Sequence, residues 1–172
     1  MQWQSIAAAS VLAAGAGLAA TAWADTHVIS RSGAWEAFGG TTTNGRAVCG
    51  MSSSVGGRYF GLKYFAGDST ATIQLGSNTW NIDNGAKQKV TMTLDNNAPW
   101  NATATGMHFN DGDAGLEYTI NKDELGEFMR EFRASAVIRV IFVGSDATPW
   151  TTSLNGTDAL GNIFNNCVRE LR

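Results

Sequence analysis

From Trp35 to about residue 120 the chain is cut every few residues by Gly, Asn or Asp, and this punctuation constrains the fold more than any other feature. The intervals are too short for ordinary helices but suit strands, and the interrupting residues are those that accept turn geometry. Strands are expected at Trp35–Phe38, Arg46–Ser52, Tyr59–Ala66, Thr72–Leu75, Trp80–Ile82, Lys89–Leu94 and Leu116–Ile120. The clearest alternation sets Val90, Met92 and Leu94 against Lys89, Thr91 and Thr93, which describes a strand with one buried and one wet face. Ser77-Asn78 and Asn84-Gly85 fall where tight turns are expected, so these strands read as a meander. Ala136–Val143 is apolar at nearly every position except Arg139, which predicts a central strand covered on both faces, with Arg139 paired or at its rim.

Two helices are predicted. Asn121 and Glu124 have capping-box spacing, and Leu125, Phe128, Met129 and Phe132 then recur at helical intervals. The second, from about Asp158 to Leu171, puts Leu160, Ile163, Phe164, Cys167, Val168 and Leu171 on one stripe. The expected fold is therefore mainly β, an antiparallel β-sandwich with two short α-helices, one inserted late and one C-terminal.

An Ala-rich apolar stretch from Ile6 to Ala22 precedes the first charged side chain, Asp25, and ends in Ala22-Trp23-Ala24. Small residues at the first and third positions before a cut are what a signal peptidase requires, so residues 1–24 read as a cleavable signal peptide. Residues 25–33 have few apolar side chains and read as a flexible lead-in, leaving 34–172 as a single domain. No later apolar run approaches the length that crosses a bilayer as a helix, so no membrane span is expected after cleavage. The formal charge of −3 lacks the clustered Lys and Arg of a nucleic-acid surface. Cys49 and Cys167 are expected to pair in an oxidising compartment, the alternative being two separate buried thiols.

Residues able to carry chemistry are sparse. A Ser or Cys nucleophile needs a histidine base, and only His27, in the lead-in, and His108, before a turn, are present. Asp111 and Asp113 invite a calcium reading, but Leu116 and Lys122 stand where an EF-hand loop requires Gly and Glu. Two distant cysteines and two isolated histidines offer no zinc cluster. Asp83, Asp95, Glu117, Asp123 and Glu124 could pair for glycosidic hydrolysis only if the fold joins two of them. Neither Gly39-Gly40 nor Gly56-Gly57 has the spacing of a phosphate-binding loop. No metal and no cofactor is expected. Trp35 and Trp80 sit in strand patterns and are expected in the core, whereas Trp100 and Trp150 each follow proline and are the best surface candidates. Trp100, Trp150, Asp111 and Asp113 are therefore the expected binding contacts.

The order of features resembles the invasion-associated locus B proteins and related exported bacterial β-sandwich domains. The resemblance is carried by Trp35 opening the domain, Cys49 in the second strand, Val137-Ile138-Arg139-Val140-Ile141-Phe142, Ser153-Leu154-Asn155-Gly156, and Ala159 with the helix through Cys167. Phe38 stands near where those proteins usually show a further cysteine. The resemblance implies a periplasmic or secreted β-sandwich, linked in some members to host-cell interaction.

These readings lead to an exported, monomeric, non-catalytic binding protein that engages a protein partner. An envelope hydrolase built on paired carboxylates, and an inhibitor or accessory subunit of a secreted enzyme, are the alternatives.

Overall fold

The computed structural model describes residues 25–171, so the expected signal peptide and its cleavage site lie outside the described residues. Ten strands form one antiparallel sheet: β1 (Asp25–Ser32), β2 (Trp35–Thr41), β3 (Ala47–Val55), β4 (Arg58–Phe65), β5 (Thr70–Ser77), β6 (Lys87–Leu94), β7 (Trp100–His108), β8 (Ala114–Asn121), β9 (Val137–Val143) and β10 (Trp150–Ser153). Their order is β1-β2-β3-β4-β5-β8-β7-β6-β9-β10. Among the described residues there are two helices, α1 (Lys122–Ala134) between β8 and β9, and α2 (Thr157–Glu170) after β10. The fold is thus mainly β and antiparallel, with one late and one C-terminal helix. No helix of the described residues is long and apolar enough to cross a membrane.

The sheet curls until its ends meet. Trp35 in β2 donates its indole N–H to the Ser153 carbonyl in β10 at 2.8 Å, although seven strands separate them in sheet order. A side chain at Gly156 would strike the Ser32 carbonyl, so the turn before α2 also rests against the end of β1. Because strand side chains alternate, each strand sends one row inward. Trp35, Met51, Phe60, Leu62, Ile73, Leu116, Met92 and Val140 join Phe128 and Phe132 of α1 and Phe164 of α2 in one core. Phe132 stands at its centre, edge-on to Trp35 and stacked on both Phe60 and Phe128.

α1 buries its whole predicted stripe, while α2 buries Leu160, Phe164 and Val168 and leaves Ile163, Cys167 and Leu171 half-buried; both helices lie over the inner face of the sheet. Thr157 fixes α2 to the end of α1 by directing its buried hydroxyl at the Phe132 and Leu154 carbonyls, both at 2.9 Å. Cys167 of α2 is bonded to Cys49 of β3, with Cα atoms 5.9 Å apart. Gly39 in β2 makes room for this bridge, since a Cβ there would lie 3.1 Å from the Cys167 sulfur. At the head of α1, Asn121 donates its side-chain amide to the Glu124 carboxylate at 3.0 Å, a bond between side chains that replaces the side-chain-to-backbone bonds of the expected capping box.

Four expectations are corrected. Residues 25–32 form a paired strand along β2 instead of a flexible lead-in, because an edge strand is held by backbone bonds that need no apolar side chains. Trp80–Ile82 lies in the connection from β5 to β6 instead of a strand, with Trp80 edge-on to Phe142 at 5.2 Å. The meander breaks there, because β5 pairs with β4 and β8 while β6 pairs with β7 and β9. Finally, β9 alternates: Ile138, Val140 and Phe142 are buried while Val137, Arg139 and Val143 face water. Its apolar run reflects strand propensity on an open face instead of double coverage.

Candidate functional site

Only one face of β1–β5, β8 and β7 contributes to the core, and the opposite face carries an ordered polar row. Pairing aligns Arg31, Glu36, Ser52, Gly61, Gln74, Glu117, Thr105 and Lys87 side by side across eight consecutive strands. The register that aligns them is set partly by Gly56-Gly57, both at positive φ, which close a two-residue turn between β3 and β4.

Neighbours in the row are bonded to one another. Arg31 pairs with Glu36 at 3.3 Å, and Ser52 donates to Glu36 at 3.4 Å. Gln74 donates to Glu117 at 2.7 Å, and Lys87 to Thr105 at 2.7 Å. Ser52 and Gln74 are buried although they lie outside the core. The Gln74 Oε1 atom is buried without a hydrogen-bond partner, an arrangement that carries a free-energy cost.

Aromatic rings flank this row, each lying on a glycine. Phe38 leans over Gly50, Tyr59 over Gly61, and Phe109 over both Gly76 and Gly115. A Cβ at any of these glycines would meet the ring at under 3.0 Å, so glycine is what lets the rings lie down on the sheet. Tyr59 and Phe109 meet edge to face at 5.2 Å. The phenol of Tyr59 fills the gap in the row at Gly61; burial above all, with Glu36 nearby, pushes its pKa up to about 12, against a hydrogen bond from Ser52. Burial pulls the Lys63 ammonium below its ordinary pKa, opposed by the Glu117 carboxylate.

Tyr59 also divides two hollows. One of about 380 Å³ lies toward β1 and includes His27, Glu36, Phe38, Ser52 and Lys63. The other, of about 630 Å³, lies toward the β7–β8 turn and includes Arg58, Asn78, Phe109, Asp111 and Asp113. Asp111 accepts the Asp113 backbone N–H at 3.1 Å, which makes this the Asx turn that its composition suggests.

The structure therefore brings Asp111 and Asp113 beside the row and removes both tryptophans from it. Trp150 is 3% exposed and packs in the core, with the Arg58 guanidinium 5.8 Å from its ring, because β10 turns it inward. Trp100 is half-buried at the start of β7, edge-on to Phe128 at 5.4 Å, and donates to Glu131 at 2.8 Å. Proline before a tryptophan marks a strand start in both cases instead of an exposed loop tip. The carboxylates considered for hydrolysis are dispersed among structural tasks: Asp95 accepts the Ala136 and Val137 N–H groups, Glu117 holds Gln74, and Glu124 holds Asn121. His108 lies beside Asn84 at 2.9 Å. Among the described residues no three His, Cys, Asp or Glu side chains gather as metal ligands.

Sequence reading missed Glu36, Ser52, Tyr59, Lys63 and Gln74, and considered Glu117 only as a hydrolytic carboxylate. A signal did exist: Gln74 alternates with the core residues Ala71, Ile73 and Leu75 and so falls on the outward face, and Gly56-Gly57 sets a hairpin register.

No family model matches the chain, and no curated protein matches it. Among solved structures, the crystal structure of invasion associated protein B from Bartonella henselae matches with a TM-score of 0.56 at 15% identity, over 82% of this chain and 97% of that one. The likeness is one of fold. It supports the resemblance drawn from Trp35, Cys49 and the β9-to-α2 passage as a loose structural relationship.

Proposed function

We propose that this chain is a non-catalytic binding module of the bacterial periplasm or exterior that engages a protein partner through the outer face of β2–β5, β8 and β7. The observation that carries this reading is the polar row from Arg31 to Lys87 flanked by Phe38, Tyr59 and Phe109 lying on glycines. Flat, half-exposed aromatic rings around a partly desolvated polar centre are the chemistry of interface anchors. The Cys49–Cys167 bond fits an oxidising compartment. The carboxylates of the face are engaged as acceptors from Arg31, Ser52 and Gln74, which favours recognition over proton transfer.

The test is affinity capture from native cell envelopes after mild crosslinking, comparing the unaltered protein with Phe109→Ser and Lys63→Ala. One dominant protein lost from both variants, while their melting temperatures stay close to that of the unaltered protein, is the expected result. A partner retained equally by both variants contradicts the assignment to this face.

A further inference from the structure

The helices enclose a second surface of different character, independent of the outer face. A groove of about 970 Å³ runs between α1 and α2, floored by Tyr64, Leu125, Met129, Phe164 and Val168. Although the whole chain is acidic, with a formal charge of −3, the groove gathers Lys122, Arg130, Arg133 and Arg169 against the single carboxylate of Asp158. That carboxylate is already taken, since Arg133 donates to it through Nε at 3.1 Å and Nη2 at 2.7 Å. Arg130 pairs with Glu127 at 3.2 Å, but both side chains are largely exposed, so this pair yields easily to a competing anion. Arg169 is bonded to the neutral Asn166, and Lys122 stands over the Tyr64 ring at 5.7 Å.

Gly126 supplies an independent indication. It lines this groove within α1, where glycine disfavours the helix, and no atom lies within 4 Å of the position its Cβ would take. Packing does not demand it. Gly161 of α2 differs, because a Cβ there would strike the Arg133 side chain at 2.3 Å. Gly126 instead leaves open space on the wall of the groove, where another backbone can approach closely.

We propose that the groove between α1 and α2 docks an acidic amphipathic segment of a partner protein, its carboxylates meeting Lys122, Arg130 and Arg169 and its apolar side chains resting beside Gly126. Neither a neutral nor a basic segment satisfies the surplus positive charge.

The experiment uses the purified, disulfide-bonded protein and a fluorescein-labelled peptide of about 15 residues, long enough for marginal helicity, with Leu and Phe on one face and Glu on the other. A Lys-for-Glu counterpart and phosphatidylglycerol vesicles serve as comparisons. The acidic peptide is expected to bind, more weakly as salt is raised, and to lose at least about tenfold in affinity in the Lys122→Glu, Arg169→Glu double variant. Gly126→Leu is expected to cause a similar loss while the melting temperature holds or rises, because it fills the groove without meeting the fold. Failure of the acidic peptide to bind, equal binding of the Lys peptide, full binding by the stable Gly126→Leu protein, or vesicle binding in place of peptide binding would each overturn the proposal.

Discussion

Gln74 donates its side-chain N–H to Glu117 at 2.7 Å across the β5–β8 pair, and both residues lie outside the core in the centre of the polar row. Glu117→Ala removes the acceptor from a buried amide and is expected to cost about 1–3 kcal/mol in urea denaturation. The Gln74→Val, Glu117→Val pair should recover most of that loss, because apolar β-formers leave no orphaned group. Equal destabilisation by the single and double variants would show that the pair does not act as a unit.

Tyr59 gives the face a signature at high pH. Its pKa is raised to about 12 by burial, so the folded protein keeps the phenolic proton where the unfolded chain, titrating near 10, has lost it. The stabilisation is therefore complete below pH 10 and is lost as pH rises from 10 to about 12. Two units correspond to at most about 3 kcal/mol, and residual exposure of the ring reduces this. Tyr118, fully buried and also raised, contributes with the same sign, whereas Lys63, lowered by burial, opposes it as it deprotonates. Comparison with Tyr59→Phe isolates the Tyr59 share: the variant should lose less stability than the unaltered protein across that interval.

The Cys49–Cys167 bond closes a loop of 118 residues and anchors α2 to β3. Chain entropy alone assigns such a loop up to about 5 kcal/mol. Reduction, or Cys49→Ser with Cys167→Ser, should lower stability by several kcal/mol in guanidinium titration. Hydrogen exchange should show α2 opening before the sheet, because its remaining polar ties, Thr157 to Phe132 and Asp158 to Arg133, run to α1 and none of them to β3.

Gly126→Ala should raise stability by about 0.5–1 kcal/mol, since the Cβ meets nothing and the helix gains propensity. Gly61→Ala should destabilise the protein, because its Cβ would lie 2.4 Å from the Tyr59 hydroxyl oxygen. Thermal melts of the two variants, read side by side, check both signs.

Much of the fold was legible in the sequence. The Gly, Asn and Asp punctuation located most strands, helical periodicity located both helices, and the two cysteines are joined. Sheet order was not legible, because the jump from β5 to β6 depends on long-range pairing of β5 with β8 that no local pattern records. β1 was missed because its partner is a backbone ladder, and β9 was read as doubly covered because Val137 and Val143 are apolar yet exposed. Of the expected contacts, Asp111 and Asp113 reach the rim of the outer-face hollow, while Trp150 belongs to the core. The row itself required knowing that Glu36, Ser52, Gly61, Gln74 and Glu117, spread over most of the chain, share one register.

The most direct test of the outer-face assignment is photo-crosslinking in intact cell envelopes, with benzoylphenylalanine placed singly at Phe38, Phe109 or Arg139. Phe38 and Phe109 lie on the assigned face, whereas Arg139 is exposed on β9 in the other wing of the sheet. The account predicts the same protein adduct from Phe38 and Phe109 and none from Arg139. An adduct confined to Arg139, or none from either phenylalanine position in folded protein, would contradict it.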